Sequence, residues 1–437
     1  MKLALIGCLL LVGCGGGEGG GGNGGTDSGG SGGSGGATDG PTVLVDTCDG
    51  NTSEPVTGID WVANDATGKL VDHVVTADSP VTIAAPPGGT ISMLRRDTTS
   101  DGAAYHSVRS YRVVEGLTAL HGIAQYDPPP ANSPMSVVHL DVTVPPDLVG
   151  VVMMLSCGAS TSVANSTGII DVAGFAGCAG RSTFMALALG FDPNGKIVSY
   201  DYVGDVPFVP GGEATVSFDM DRTTFGEIAY DLTNIPSSAV VGGVFANLFA
   251  TEQLAAYSDD FENFGGLVGA SYSGVFRVPT ELPGRLTAYV TVTEPSDAAG
   301  RCRTSSLEQF DLDPAETLSW DVAGKLGPMT LTGPDDAPTW SVEGAAGSWM
   351  LLNISANTPS WSGYFSLLDD PARGSGSWVF PELPDELVDF NPPSDAAFVA
   401  EAFHENVEDR SYVSVVEDGR PPSVSFVESS VERCSGE

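Results

Sequence analysis

Apolar and polar residues alternate with a period of two through most of the chain beyond residue 42, in short runs bounded by glycine, proline, asparagine and aspartate. This period is typical of β-strands, whose successive side chains point to opposite faces. The pattern predicts strands at Val43 to Val45, Gly58 to Ala63, His73 to Thr76, Ser136 to Val144, Thr183 to Gly190, Ile197 to Tyr202, Ala214 to Met220, Leu286 to Val292 and Tyr412 to Val416. The sequence has no sustained helical period, and one short helix is predicted at Leu248 to Tyr257. The predicted fold is therefore all-β.

A similar order of strands recurs three times, at roughly hundred-residue spacing, after a proline-rich linker at Asp127 to Pro134. The closing strands of the three copies are Thr215 to Asp219, Thr317 to Asp321 and Ser423 to Phe426. A second shared strand lies upstream in each copy, at Thr183 to Leu187, Thr287 to Thr291 and Ala397 to Glu401. Units of this length can each bury a core, which predicts tandem β-sandwiches. A β-propeller-like arrangement and chance similarity between strands are the alternatives.

These observations divide the chain into six predicted segments. They are a signal peptide at 1–13, a glycine- and serine-rich tether at 14–42, a first β-sandwich at 43–135, and β-repeats at 136–226, 227–327 and 328–434. The tether has almost no apolar side chain to bury, so it is expected to behave as a flexible coil with a reach of roughly 28 Å.

The first residues combine a positive charge at Lys2, an apolar stretch from Leu3 to Val12 and a small residue directly before Cys14. The stretch has the length of a signal peptide and is shorter than the roughly 20 residues of a membrane-spanning helix. Leu11-Val12-Gly13-Cys14 resembles a bacterial lipobox, which implies that the Cys14 thiol is acylated, that the preceding residues are removed and that the protein is tethered to a membrane. Gly15 resembles the sorting position of lipoproteins sent to the Gram-negative outer membrane. An ordinary signal peptide with an incidental cysteine is the alternative.

The first folded segment carries a recognisable order of strands and turns. A strand at Gly58 to Ala63 and a turn at Asp65 to Lys69 precede strands at His73 to Thr76 and Val81 to Ala85, and a second turn follows at Pro86 to Gly89. At these residues the chain resembles the carboxypeptidase regulatory-like, transthyretin-type β-sandwich, in which such turns recur. The resemblance implies a fold and no catalytic residue. The whole arrangement resembles uncharacterised surface lipoproteins of Gram-negative bacteria that carry this module with further β-domains.

The chain is strongly acidic, with 18 lysines and arginines against 56 aspartates and glutamates and a formal net charge of −38. Such a charge repels nucleic acid and anionic lipid headgroups, so both are excluded as expected partners. Two explanations of the charge remain open. One is a solvated surface adapted to a salty exterior, and the other is a set of carboxylate-rich loops that bind Ca²⁺.

Five cysteines remain for disulfides once Cys8 leaves with the signal peptide and Cys14 is acylated, and export favours their oxidation. Cys157 and Cys178 flank one short apolar segment, and their pairing closes a loop of about 20 residues, worth roughly 3 kcal/mol. Of the remaining cysteines, the pairing of Cys302 with Cys434 is expected and Cys48 is left over, although spacing alone fixes no connectivity. No CxxC motif or cysteine and histidine cluster indicates zinc.

No catalytic motif is found in the sequence. The five histidines are scattered, without a spacing that directs two imidazoles to one metal ion. No GxSxG motif is present, and pairs of carboxylates carry little information in a chain with 56 acidic residues. We therefore expect no catalytic residue.

Oxygen ligands at turns give a candidate calcium site, because Ca²⁺ takes six to eight oxygen ligands. The candidate ligands are Asp192, Asn194, Asp219, Asp221, Asp259 and Asp260. None of these turns completes an EF-hand, and ordinary solvated turns are the alternative. The turn Asp192-Pro193-Asn194-Gly195 also predicts a β-hairpin, because asparagine and glycine tolerate positive φ angles.

Five of the six tryptophans lie within about sixty residues, from Trp320 to Trp378. Exposed indole rings form an apolar platform with a polar edge, on which a sugar can stack. The candidate ligand-binding residues on this interpretation are Trp340, Trp361 and Trp378. Burial of the tryptophans in a sandwich core is the alternative, and Trp349, in the run Trp349 to Leu352, is expected in the core.

The sequence therefore predicts a non-enzymatic, lipid-anchored protein of the outer membrane that faces the periplasm or the cell exterior. It is expected to act as a binding or adhesion module, with a glycan or protein ligand, or as a structural component of the envelope. The alternatives are an extracytoplasmic hydrolase and an accessory carbohydrate-binding protein. No cofactor is expected other than Ca²⁺.

Overall fold

The computed structural model describes residues 41–49, 55–77, 80–98, 104–124, 137–155, 160–163, 167–171, 183–207, 211–235, 241–249, 271–281, 285–293, 304–309, 317–321, 329–344, 346–358, 361–407, 410–418 and 426–431. The signal peptide and nearly all of the predicted tether lie outside these residues. Within the described residues, no helix is long and apolar enough to cross a bilayer.

The strands are β1 (Thr42–Asp49), β2 (Asp60–Asn64), β3 (Leu70–Val75), β4 (Val81–Ala84), β5 (Thr90–Thr98), β6 (Ala104–Arg112), β7 (Ala119–Ala124), β8 (Val137–Val142), β9 (Gly150–Leu155), β10 (Ser160–Val163), β11 (Thr167–Asp171), β12 (Thr183–Phe191), β13 (Ile197–Pro207), β14 (Glu213–Phe218), β15 (Phe225–Thr233), β16 (Val241–Phe249), β17 (Tyr272–Pro279), β18 (Arg285–Thr293), β19 (Thr304–Gln309), β20 (Thr317–Asp321), β21 (Met329–Thr332), β22 (Thr339–Val342), β23 (Trp349–Asn357), β24 (Ser362–Asp369), β25 (Ser375–Ser377), β26 (Ala397–Val407) and β27 (Phe426–Val431). The helices are the α-helix α1 (Tyr412–Asp418) and two short 3₁₀ helices, Pro371–Arg373 and Asp385–Phe390.

Eleven of these strands form a central sheet in the order β16-β18-β19-β27-β26-β23-β24-β6-β5-β2-β3. Neighbouring strands are antiparallel except for β24 and β6, which are parallel. Sheet β4-β1-β7 and α1 pack on one face of the central sheet, and sheet β21-β22-β25 and the Asp385–Phe390 helix pack on the other. Strands β2, β5, β6, β24 and β23 of the central sheet are thus covered on both faces over part of their length.

Alternate side chains of strand β23 enter two different cores. Trp349 and Leu351 enter the core beneath β4-β1-β7, whereas Met350, Leu352 and Ile354 enter the core beneath β21-β22-β25. Each of these five side chains is at most 3% exposed. A strand buried on both faces reads as a continuous apolar run, which explains the sequence of Trp349 to Leu352.

The remaining sheets form a second group of layers around β12. One face of β12 packs against sheet β11-β8-β14 through Phe184, Ala186 and Ala188. Its other face contributes Leu187 and Leu189 to a core shared with sheet β17-β15-β20 and with β18. The fold is therefore all-β, built from β-sandwich layers in tandem, as predicted. The described sheets are open and stacked, which excludes the propeller-like alternative.

The predicted strands are confirmed except the last, because Tyr412 to Val416 lie in α1. Two local causes favour the helix. Ser411 and Ser414 exchange hydrogen bonds at its start, in the manner of a helix cap. The side chains of Tyr412, Val415 and Val416 then reach one core, a spacing that fits one face of a helix. The helix predicted at Leu248 to Tyr257 is also wrong where it is described, because Leu248 and Phe249 pair with β18.

The predicted first sandwich and third repeat do not form separate units. Strand β6 pairs with β24 from Tyr105 with Ser362 to Tyr111 with Leu368, across the predicted boundaries at 135 and 328. The two segments also share a core, because Trp61 and Tyr111 pack with residues of β23, β24 and α1. Their separation was predicted from the proline-rich linker, which carries no information about pairing between distant segments.

A buried ion pair lies at the end of this parallel pairing. Arg112 Nε is 3.2 Å from Asp369 Oδ2, and the Asp369 side chain is fully buried. Arg373 Nη1 also donates to Asp369 Oδ1, at 3.0 Å. The other guanidinium nitrogens of Arg112 donate to the carbonyl oxygens of Gly88 and Ser377, so the charge of Arg112 is matched and its donors are used. Tyr412 donates to the carbonyl oxygens of Arg112 and Leu368.

Replacement of Asp369 by alanine is expected to lower the free energy of unfolding by about 3–5 kcal/mol, because it leaves the Arg112 guanidinium buried without a counter-charge. Chemical denaturation followed by tryptophan fluorescence measures this loss. The matched control is Asp395→Ala, which removes the carboxylate of an exposed aspartate. The double variant Arg112→Met/Asp369→Leu is expected to recover part of the stability, and a loss in Asp369→Ala no larger than that of the control contradicts the assignment.

Candidate functional site

The predicted lipidation site and both predicted disulfides lie outside the described residues. This applies to Cys14, Cys157, Cys178, Cys302 and Cys434. Cys48 lies on β1, is 5% exposed and is disulfide-bonded. The expectation that Cys48 is left over is therefore wrong. The pairings Cys157 with Cys178 and Cys302 with Cys434 stay predictions, but with Cys8 removed and Cys14 acylated they cannot both hold, because Cys48 needs one of these four cysteines as its partner.

The tryptophans do not form a sugar-stacking face. Trp340 and Trp378 are 2% and 3% exposed, and both lie in the core between the central sheet and β21-β22-β25. Trp320 and Trp349 are buried as well. The binding role predicted for Trp340 and Trp378 is therefore wrong, because both indole rings are buried among the apolar side chains of that core and present no face on which a sugar could stack. The core interpretation is confirmed for these four residues.

Trp361 is half-buried at the rim of the same core. Its ring stacks on that of His106, with 5.3 Å between the centroids and 14° between the planes. Its indole nitrogen donates to the carbonyl oxygen of Asp389 at 3.1 Å. One face of the ring and its polar edge are thus engaged within the protein.

The first candidate calcium turn is held by its own backbone. Asp192 Oδ1 accepts from the backbone nitrogens of Asn194 at 2.8 Å and of Lys196 at 2.9 Å. Gly195 takes the positive φ of 79° that the predicted hairpin requires. The hydrogen bond from the Lys196 N–H is the largest cause of a lowered pKa of Asp192. The turn therefore accounts for Asp192 and Asn194 without a cation.

A second turn has the same construction. Asp65 Oδ1 accepts from the Thr67 hydroxyl at 2.6 Å and from the backbone nitrogens of Thr67 and Lys69 at 2.8 and 3.0 Å. The Thr67 hydroxyl is the largest cause of the lowered pKa of Asp65. Gly68 has a φ of 85°, and its carbonyl oxygen accepts from Asn64 and Glu382. Both Asp-x-x-Gly-Lys segments thus use one aspartate as the acceptor that closes a hairpin.

The other candidate calcium ligands give no complete site. Asp219 and Asp221 are exposed and flank Met220, whose φ is 55°. Asp259 and Asp260 lie outside the described residues. Among the residues that the structure describes, no group of three or more histidine, cysteine, aspartate or glutamate side chains is placed to hold a metal ion. Calcium binding stays a prediction.

Four of the five histidines lie beside a carboxylate of another element. The pairs are His73 with Asp60 at 2.8 Å, His121 with Asp46 at 2.7 Å, His106 with Asp389 at 3.7 Å and His139 with Glu213 at 4.0 Å. The first, second and fourth pairs join neighbouring strands, and the third joins β6 to the Asp385–Phe390 helix. These pairs connect elements of the fold. Sequence spacing did not reveal them, because their members are far apart in the chain.

A polar patch on the central sheet is the remaining candidate site. We call it the polar platform. Its residues are Tyr105, Ser107 and Arg109 on β6, Tyr364 and Ser366 on β24, Asn353 and Ser355 on β23, and Val399 and Glu401 on β26. The residues between them in sequence, among them Val108, Ile354, Phe365 and Ala400, enter the core on the opposite face. Because strand side chains alternate between faces, the platform residues share one face.

Strand register aligns the platform residues in rows. Arg109 lies opposite Ser366, Ser366 opposite Asn353, and Asn353 opposite Glu401. The adjacent row runs from β6 to β26 through Ser107, Tyr364, Ser355 and Val399. Tyr105 lies one step beyond, diagonal to Tyr364. Opposing side chains in such rows are close enough to contact one ligand together.

The platform combines polar groups with partial burial. Ser366 and Asn353 are 3% and 6% exposed, whereas Val399 is 51% exposed. Burial is the main cause of a raised pKa of Tyr364, and the Glu401 carboxylate adds to it. Like an unperturbed tyrosine, Tyr364 is protonated at neutral pH. Arg109 and Glu401 give the platform one positive and one negative charge, and Arg95 of β5, which lies opposite Ser107 on the same face, adds a second positive charge beside it.

Comparison with known proteins assigns no family. No protein-family model matches the sequence, and no curated protein matches it. A solved structure described as "Structure of the Streptococcal ancillary pilin" is similar with 10% sequence identity and a TM-score of 0.15, over 64% of this chain and 98% of that chain. A TM-score this low defines no shared fold, so the fold is assigned from the strands and cores themselves.

The two turn aspartates are expected to contribute to acid sensitivity. Their folded pKa values are lowered, so the stability that they contribute is present above their unfolded pKa of about 3.9 and is lost as the pH falls through the folded values. The variant Asp65→Asn/Asp192→Asn keeps an acceptor oxygen but does not titrate. Its melting temperature is expected to fall less than that of the wild type between pH 6 and pH 2.

The matched control for this experiment is Asp336→Asn/Asp395→Asn, which removes two exposed aspartates elsewhere. Melting temperatures by differential scanning fluorimetry at each pH give the comparison. An acid-induced decrease that is equal in the turn variant and in the control contradicts the role of the turns.

Proposed function

We propose that this chain is a lipid-anchored, non-enzymatic protein of the bacterial outer membrane, facing the periplasm or the cell exterior, with a binding or adhesion role or a structural role. The observation that carries the proposal is the order of the N-terminal residues. A short apolar stretch ends at Cys14, and a glycine-rich tether follows directly. This order fits an acylated cysteine that holds folded β-sandwich layers at a distance from the lipid surface.

The disulfide at Cys48 supports export. Disulfides persist in oxidising compartments such as the periplasm and the cell surface, and are rare in the cytosol. Cys48 is buried on β1, in a sheet that covers the central sheet, so its oxidation fits a structural role.

The use of the ionisable side chains supports the non-enzymatic part of the proposal. Arg112 and Asp369 hold two distant segments together, and His73 with Asp60 connects two strands of the central sheet. Asp192 closes a hairpin. In each case the group stabilises the fold through a partner already in place.

The role of a binding module is supported by the platform. Its residues are polar on one face of strands whose other face is apolar and buried. A patch of tyrosine, asparagine, arginine and glutamate on a rigid sheet presents hydrogen-bonding groups in fixed positions.

Lipidation at Cys14 tests the proposal directly. The full chain is expressed in a Gram-negative host, and the mature N-terminal peptide is analysed by mass spectrometry. We expect the mass of an acylated cysteine and partition of the protein into the detergent phase, because two or more acyl chains give stable membrane anchoring. Cys14→Ser is expected to shift the protein to the aqueous phase or to leave an uncut precursor.

Cys8→Ser is the matched control, because it removes a cysteine of the apolar stretch that is not acylated in the proposal. It is expected to partition as the wild type does. An unmodified thiol at Cys14, or a mature protein that retains Met1, contradicts the proposal. Protease treatment of intact cells then separates the exterior from the periplasmic face.

A further inference from the structure

We propose that β16 is an interaction edge, at which two copies of this chain pair antiparallel and join their central sheets into one. β16 (Val241–Phe249) is one of the two outermost strands of the central sheet, and β3 (Leu70–Val75) is the other. The partner that we infer is a second copy of the same chain, related to the first by a twofold axis. The inference goes beyond the proposed function, because the pairing itself requires no acyl chain.

The backbone of β16 has one long edge that its neighbour does not use. All nine of its residues pair with β18, from Val241 with Thr293 to Phe249 with Arg285. Among the residues that the structure describes, β18 is the only strand paired with β16. In an antiparallel pair, every second residue directs its N–H and C=O groups away from the partner strand. On β16 these groups form a template on which another strand can pair.

The opposite edge of the central sheet is closed by carboxylates. In β3, the backbone N–H of Leu70 donates to Glu382 Oε2 at 3.2 Å, and that of His73 donates to Asp72 Oδ1 at 2.9 Å. Asp72 and His73 also place an acidic and a basic side chain on the strand itself. Charged residues on an edge strand and cover of its backbone both prevent other strands from adding to it. The β3 edge is therefore protected against pairing.

The composition of β16 differs from that of the other long edge strands. Among the described edge strands with more than four residues, β16 alone contains no aspartate, glutamate, lysine, arginine or histidine; the others are β3, β7, β11, β13, β14, β17 and β20. The remaining uncharged edge strands, β4, β10, β21 and β25, have three or four residues each. Short edges and charged edges both resist pairing, and β16 has neither property.

Charge makes β16 the edge at which two copies can meet. The formal net charge of −38 repels another copy over about a Debye length, roughly 10 Å at moderate ionic strength. Pairing at an edge strand with carboxylates places like charges directly opposite each other, which destabilises the pair further. Pairing at β16 places none there. A cationic strand finds no carboxylate on β16 to bind, and an anionic strand is repelled by the chain as a whole.

A second copy also supplies the strand that this edge lacks. The partner must present an unprotected strand of similar length, and β16 of another copy is such a strand. A twofold axis brings the two strands together antiparallel, so that each one donates to and accepts from the other. Because the β3 edge is closed, the pairing ends at two copies and does not continue into a fibre.

The proposed lipid anchor favours this pair. Copies held on one lipid surface by tethers with a reach of roughly 28 Å meet at a higher effective concentration than free proteins do. A pair carries two polar platforms and two anchors, so weak contacts at each of them reinforce one another. Only this step rests on the proposed function.

The test uses the full chain, purified in a density-matched neutral detergent. Sedimentation equilibrium gives the protein mass, and we expect a dimer at about 10 μM protein. Hydrogen exchange followed by mass spectrometry is expected to show protection of the β16 peptide that rises with protein concentration, while protection of the β3 peptide stays constant. The dimer is expected to become tighter between about 50 and about 500 mM NaCl, because salt screens the repulsion between the two acidic chains.

Two adjacent proline variants, Val244→Pro and Phe245→Pro, test the outward edge of β16. Successive N–H groups of a strand point to opposite sides, so one proline removes a hydrogen bond to β18 and the other removes an outward N–H. The first variant is expected to lower the melting temperature. The second is expected to keep it, because proline is tolerated on the open side of an edge strand, and to weaken dimerisation about tenfold or more.

A charge variant tests the same edge without proline. Asn247→Asp keeps the shape of the side chain and brings two like charges into the pair, one from each copy. It is expected to weaken dimerisation about threefold or more. The matched control is Val75→Asp, which adds the same charge to the closed edge at β3, where Val75 is 47% exposed. It is expected to dimerise within about twofold of the wild type.

The proposal is overturned by a monomer at every concentration, by a dimer that weakens as salt is added, or by wild-type dimerisation in Asn247→Asp or in the stable proline variant. A monomer with a protected β16 peptide assigns the edge to the chain itself, and one with an unprotected peptide leaves it for another protein; both exclude the second copy. Acylation of Cys14 is measured in the same preparation. A monomer with an acylated Cys14 overturns this inference alone, whereas an unmodified Cys14 overturns the proposed function alone.

Discussion

The parallel pairing of β6 with β24 is the constraint on which the rest of the structure depends. It joins segments that are separated by 257 residues at the Arg112–Asp369 pair. Closing so long a loop costs conformational entropy. This cost must be offset by the burial of apolar side chains in the two cores on either face of the central sheet. The ion pair adds specificity of register, because a shift of one residue along the strands separates Arg112 from Asp369 and leaves both charges buried without partners.

This pairing also creates the platform. Its rows run from β6 to β26, so they exist only once the N-terminal strands β5 and β6 stand beside β24 and β23. The opposite face of the same strands is held by the core around Phe365 and Ile354, which leaves the platform side chains little freedom of position. Rigid strands hold hydrogen-bonding groups in fixed positions. Less conformational entropy is therefore lost when a ligand binds to such groups than when it binds to groups on a flexible loop.

The sequence revealed what depends on neighbouring residues and missed what depends on distant ones. Period-two alternation predicted the strands, and the turn at Asp192 was predicted from its asparagine and glycine. Tyr412 to Val416 was misread as a strand, because five residues of mixed polarity fit either period and the packing of α1 decides between them. The platform could not be predicted. The polar positions of Asn353 and Ser355 are visible in β23, but nothing in the sequence indicates that Tyr105 and Arg109 lie two strands away.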